Sequence, residues 1–305
     1  MRTPNSAIVG LVLLLGGCGG VPLVGDTATT RETRVPAVDA EAKQVAGIDW
    51  MVYAELLAIV VDADGGVNYE VLRQVREPLD ALVDTLARYG PNAAPQDFAG
   101  RNERLAYEIN AYNLFVLRGL VDLWPMGTLA GRQAELYHDR TFTLDGEPVN
   151  LEDLETRIRN RFHDVRVRFA LANGTVDGPP LSNEPYLPEL LEMQLTRAAT
   201  RFLNRKGSVE VVEGRIVLSG LFAWYADELT PTPVEWIKRH APGLILPRGA
   251  QHDYAEFDWA VNVKAAPDLN PIVPPALWSA EPEPEAAPEP EAAPEPEAAP
   301  VPTAL

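Results

Sequence analysis

In "YEINAYNLFVL", residues 107–117, Tyr107, Asn110 and Asn113 recur every three residues along an otherwise apolar run. On a helix this spacing puts a phenol and two carboxamides in one polar stripe. Buried amides must find partners, so the stripe has two readings. Asn110 and Asn113 either tie the helix to neighbouring loops or face a cleft and hold a polar ligand. Further along, Glu152, Asp153 and Glu155 offer acids, and at a helix start they also compensate the helix dipole. The histidines, His138, His163, His240 and His252, are scattered, and three of them precede Asp139, Asp164 and Asp253 directly. Neighbours in sequence point apart on a strand and seldom share a helix face, so none of these pairs reads as a dyad. A metalloprotease HExxH, a GxSxG elbow and a glycine-rich phosphate loop are all missing from the sequence. Neither a cofactor nor a metal site is expected.

Cysteine chemistry is restricted to one place. Cys18 is the only cysteine of the 305 residues, so the sequence holds no disulfide framework and no thiol nucleophile beyond it. Arg2 precedes an apolar stretch from Ala7 to Leu15, and Leu15, Gly16, Gly17 and Cys18 fit a bacterial lipoprotein signal, with Cys18 as the lipidated residue. Residues 1–17 read as the signal peptide and 18–44 as a flexible tether. Gly19, where an inner-membrane retention signal places Asp, favours the outer membrane facing the periplasm in a Gram-negative host. The net charge of −18 argues against nucleic acid and anionic lipid as partners. The partners expected are the membrane, through Cys18, and an envelope protein or the cell wall. Seven of the acids are Glu281 to Glu297, six of them in three copies of PEPEAA over 282–299, so residues 271–305 read as a disordered acidic tail.

The elements that must position any site lie at 45–270. Helices are expected over 48–61, from Leu79 after Pro78, over 105–123, over 151–160 capped by Asn150, over 187–203, and at 221–229 and 233–239, the last capped by Thr232. "DADGG" at 62–66 ends the first helix; it is no EF-hand loop, because Val67 and Arg73 stand where Gly and Glu are needed. "TFTLDGEPVNL" predicts a hairpin turning at Asp145 and Gly146, and residues 209–218 a second turning at Glu213 and Gly214. The alternation of Val165, Val167, Phe169 and Leu171 against Arg166 and Arg168 predicts a strand, as does "AEFDWAVN" at 255–262. Segregated hairpins and helices predict an α+β fold: a helix-rich single domain with a small, mainly antiparallel sheet.

Seven stretches in order resemble the DUF547 family: "VNYEVL", "YEINAYNLFVL", "LEDLETRI", "VRVRFAL" with "GPPL", "RFLN", "VLSGLFAWYADEL" and "FDWAVN", from Ile48 to Lys264. The resemblance implies a fold distantly allied to the papain and transglutaminase group. It also implies a site in which typical members carry two His and two Cys. Those positions correspond here to Thr156, Arg168, Asn173 and Gly178, so the thiolate and base are both replaced. Together with Asn110, Asn113 and Glu155 they form the candidate cleft, in a loop that keeps Pro179 and Pro180. The function expected is a noncatalytic binding or structural module in a membrane-anchored envelope lipoprotein. The alternative is a hydrolase or transferase with a substituted site acting on an envelope peptide or amide, using Glu155 and His163 with Ser182.

Overall fold

The computed structural model describes residues 47–264. Cys18, the tether and the PEPEAA tail lie outside the described residues. The helices α1 (Trp50–Val60), α2 (Tyr69–Gln74) and α3 (Arg76–Arg88) lead to the long helix α4 (Arg101–Leu123). After α5 (Gln133–Tyr137) come the strands β1 (Phe142–Leu144) and β2 (Glu147–Val149), then α6 (Leu151–Phe162). A 3-10 turn at Val165–Phe169 precedes α7 (Leu191–Leu203). The chain continues through β3 (Val209–Val212), β4 (Arg215–Leu218), α8 (Leu221–Trp224), α9 (Pro233–His240) and β5 (His252–Tyr254). The result is an α+β fold, rich in helix.

Helix α4 is buried on nearly every side, from Leu105 to Val121, and α3, α6 and the residues around them close over it. Helix α6 shows how the packing is written in the sequence. Leu151, Leu154, Ile158 and Phe162 form its buried stripe, and Asn150 caps it by accepting the Asp153 amide at 2.7 Å. A second apolar cluster gathers Phe169, Phe202, Phe222 and Trp236 under β4, with the Phe169 and Trp236 rings stacked 5.2 Å apart. The β1–β2 hairpin turns at Asp145 and Gly146 with φ of 53° and 83°, as the type I′ signal predicts. The other sheet has the order β3-β4-β5, β3 antiparallel and β5 parallel to β4.

Besides adding α2, α5 and β5, which the sequence reading did not expect, the structure departs from the expected elements at four places. Residues 165–169 form a 3-10 turn instead of a strand: Asp164 caps it through the Arg166 amide, and the Ala170 amide bonds back to Val167. With those bonds made locally, the segment has no ladder partner. The segment 255–262 is not one strand either, because its backbone is shared among three loops. Trp259 O accepts from Leu129 N, Ala260 O from Val176 N, and Asn262 O from Val67 N. Helix α7 starts at Leu191, not Leu187, since Gln194 reaches back to Leu187 N and Pro185 O and holds the lead-in open. Finally, α8 stops at Trp224 and residues 225–229 continue as turns.

Candidate functional site

A cleft of about 800 Å³ opens between α5, the start of α6, the loop after the 3-10 turn, and the aromatic residues that follow β4 and β5. Glu152 and Glu155, three residues apart, present adjacent carboxylates from α6. Gln133, Tyr137 and His138 come from α5 and its end. Leu171, Asn173 and Pro179 come from the loop, and Tyr112 from α4. Trp224, Tyr225 and Trp259 complete the wall.

The loop 171–179 is held from behind at almost every residue. Asn113 donates to Ala170 O at 3.1 Å and accepts from the Ala172 amide at 2.9 Å. Tyr137 donates its hydroxyl to Asn173 O at 2.6 Å, and Arg205 donates to Gly178 O at 2.7 Å. Asp177 accepts the Asp258 amide at 2.7 Å, and the Asn262 amide donates to Gly174 O. At Gly174, φ is +78°, and an added Cβ would collide with Leu120. The same shared segment therefore fixes the loop and carries Trp259 to the cleft. There Trp259 stacks on Trp224 with centroids 5.4 Å apart and planes 29° apart, and Trp224 is left 48% exposed.

Behind the α6 wall stands Arg168, 4% exposed. Its guanidinium meets Glu155 at 2.5 Å and Glu228 at 2.7 and 3.1 Å, and lies 4.5 Å from the centre of the Tyr225 ring. Burial opposes its charge, but the Glu228 hydrogen bond and the Glu155 carboxylate outweigh that penalty and hold its pKa above the ordinary value. The Tyr225 hydroxyl donates to the same Glu155 oxygen at 3.0 Å. Burial first, and then the negative Glu155, push the Tyr225 and Tyr112 phenols well above their usual range, so both are neutral donors.

The seven residues of the candidate cleft divide into three groups. Glu155 and Asn173 line it. Gly178 and Arg168 touch those two: an added Cβ at Gly178 would overlap the Asn173 carboxamide, and Arg168 pairs with Glu155. The positions that correspond to the two family cysteines, Asn173 and Gly178, are thus in contact. Asn110, Asn113 and Thr156 do not line the cleft. Asn110 is spent on Tyr186, donating to its carbonyl and accepting from its amide, both at 2.8 Å. Both amides therefore tie α4 to neighbouring loops, the first of their two readings. Glu155, His163 and Ser182 are not brought together. His163 caps the far end of α6 in a left-handed conformation, and Ser182 Oγ accepts the amide of Glu184.

One pairing reverses the sequence reading. His138 Nδ1 lies 2.9 Å from Asp139 Oδ1, because His138 ends α5 and the chain bends there. The hydrogen bond and charge of Asp139, with lesser contributions from Glu152 and Asp153, raise the His138 pKa. Sequence reasoning also missed Tyr112, Gln133, Tyr137, Trp224, Tyr225 and Trp259 as cleft residues. The signal available was the density of aromatics in "LFAWY" and "FDW", beyond what two short elements need for packing.

Fold and site together define an α+β domain with an aromatic-walled cleft. Residues 95–203 match the model of the family described as "Protein of unknown function, DUF547". The match includes the α5, α6 and loop sides of the cleft, while Trp224, Tyr225 and Trp259 lie beyond it. No curated protein and no solved structure matches the chain.

Proposed function

We propose that this protein is a lipid-anchored component of the cell envelope whose DUF547 domain is a noncatalytic binding module. The observation that carries the binding part is the state of Glu155. It is the acid set deepest in the cleft wall, and its carboxylate is taken up by Arg168 and Tyr225. Both bonds end on Oε1, which is thereby committed to holding the wall together, and the positions that the family resemblance associates with a thiol and a base carry Asn173, Gly178, Thr156 and Arg168 instead. Aromatic faces beside a few fixed polar groups suit ligand binding. The anchor rests on Cys18 and the apolar run before it, with Gly19 favouring the outer membrane. No helix among the described residues is long and apolar enough to cross a membrane. Substituting Cys18→Ala is expected to move the protein from the membrane pellet to the soluble fraction; retention in the pellet would remove the lipid anchor from this reading.

A second reading, a hydrolase or transferase with a substituted site acting on an envelope peptide or amide, draws on one observation. The His138–Asp139 pair sits on the rim of the cleft, where an imidazole can serve as a base. The two readings separate in one assay. Purified protein incubated with peptide, amide and ester probes is expected to show no turnover above buffer; turnover that disappears in His138→Ala would replace the binding module with an enzyme.

A further inference from the structure

We infer that the cleft takes an organic cation, an alkylammonium or guanidinium group, set against the Trp224 and Trp259 rings with Glu152 as its counter-charge and an acceptor oxygen of the same ligand at Tyr112. This deepens the binding reading above and rests on it. Three independent features of the site point the same way.

The first is charge. Neither Lys nor Arg lines the cleft, whereas Glu152 does, and Glu152 has no ion-pair partner among the described residues. Arg168 lies behind the wall and is bonded to two carboxylates, so that trio leaves one negative charge uncompensated. An anionic ligand would meet Glu152 and the net negative charge of the trio, and the one basic side chain of the lining, His138, is already paired with Asp139. The His138 pKa is raised first by the hydrogen bond and charge of Asp139, and Glu152 and Asp153 add to it in the same direction.

The second feature is the wall itself. A cation over an aromatic face is attracted by the ring quadrupole, most strongly over Trp. Trp224 is 48% exposed and is held in place by Phe257 at 4.6 Å and Trp259 at 5.4 Å between centroids. Packing of this kind fixes the ring before a ligand arrives, so little side-chain entropy is lost on binding. The Tyr225 ring already carries the Arg168 guanidinium on one face, the same type of contact within the protein.

The third feature is Tyr112. Only 2% of the residue is exposed, it lines the cleft, and its hydroxyl makes no hydrogen bond to the described residues and is open to the cleft. A phenol that opens on the cleft without a protein acceptor is free to donate to a ligand oxygen, in place of water. A carbonyl oxygen near the ligand's cationic group meets that need, as in a lysine- or arginine-containing peptide.

The test is a tryptophan-fluorescence titration of the full-length chain, purified in detergent, with four probes. These are acetyl-Ala-Lys-Ala-amide, its norleucine and glutamate counterparts, and a tetramer of β-1,4-linked N-acetylglucosamine. The lysine probe is expected to bind more tightly than the other three. Glu152→Gln is expected to weaken it about fivefold and Trp224→Ala about tenfold. Far-ultraviolet circular dichroism of both variants should match that of the parent. If the norleucine probe or the saccharide binds as tightly as the lysine probe, the cation assignment is wrong and the binding cleft stands. If no probe perturbs the fluorescence at millimolar concentration, the cation assignment and the binding reading fall together.

Discussion

Arg168→Leu is expected to lower the stability of the domain by about 3 kcal/mol, seen as a fall in the urea midpoint with little change in slope. Removing the guanidinium leaves Glu155 and Glu228 facing each other across the space it occupied, with the Tyr225 ring stripped of its cation. Breaking a buried pair by deleting one partner costs about 3–5 kcal/mol. The lower end applies here because the two carboxylates keep 27% and 29% of their side-chain surface in water, which relieves part of their repulsion. Arg168→Lys should recover only part of the loss, since an ammonium cannot bridge two carboxylates in the plane of a fork. Adding Glu228→Gln to Arg168→Leu should restore about 1 kcal/mol by removing one unpaired charge. A midpoint for Arg168→Leu within error of the parent would mean that the trio does not hold the wall.

The second large effect is expected at Gly178. Its φ is not in the left-handed region, so alanine is compatible with the backbone there. The obstacle is Asn173, whose carboxamide occupies the space an added Cβ needs. Asn173 Oδ1 accepts from the Thr175 amide at 3.1 Å and from the Thr175 hydroxyl at 2.8 Å, and Thr175 Oγ1 accepts the Gly178 amide at 3.1 Å. Gly178→Ala should therefore break this closed set of bonds and cost about 2 kcal/mol in the same urea assay. The same contact makes the converse prediction. In a Cys18→Ser background, Asn173→Cys with Gly178→Cys places two thiols within disulfide reach. Thiol titration after air oxidation should find none free, and a measured two would show that the loop does not bring these positions together. The polar knot of Asn173, Thr175 and Gly178 thus occupies the positions that the DUF547 resemblance associates with cysteine.

Much of the fold was legible because its rules are local. A capping side chain bonds an amide three residues away, as Asn150 and Thr232 do. A hairpin turn depends on two residues that accept positive φ, as at Asp145–Gly146 and Glu213–Gly214. Helix α4 declares itself by apolar residues recurring at helical spacing from Leu105 to Val121, a run long enough to outweigh the polar residues among them. The strand expected at 165–169 failed because alternation only predicts a strand when a neighbour supplies the ladder. There the inward turn of Arg168 follows from two acids 13 and 60 residues away.

The candidate site was half legible. Glu155 and Asn173 were found through a family resemblance that spans residues on both sides of the loop. Asn110 and Asn113 were visible as polar residues on a buried helix, but a carboxamide serving a backbone and one serving a ligand look alike until the partner is seen. The sequence by itself determined most of the longer helices, the two hairpins, the acidic character and the DUF547 segment, because these depend on residues a few positions apart or on composition, while the short helices α2 and α5 went unread. Only the tertiary structure decided the cleft. Its walls join Tyr112, Tyr137, Trp224 and Trp259, and its electrostatics depend on which acids reach Arg168 and on the bend that pairs His138 with Asp139. Such contacts are selected by burial and charge over long separations, and no periodicity in the chain records them.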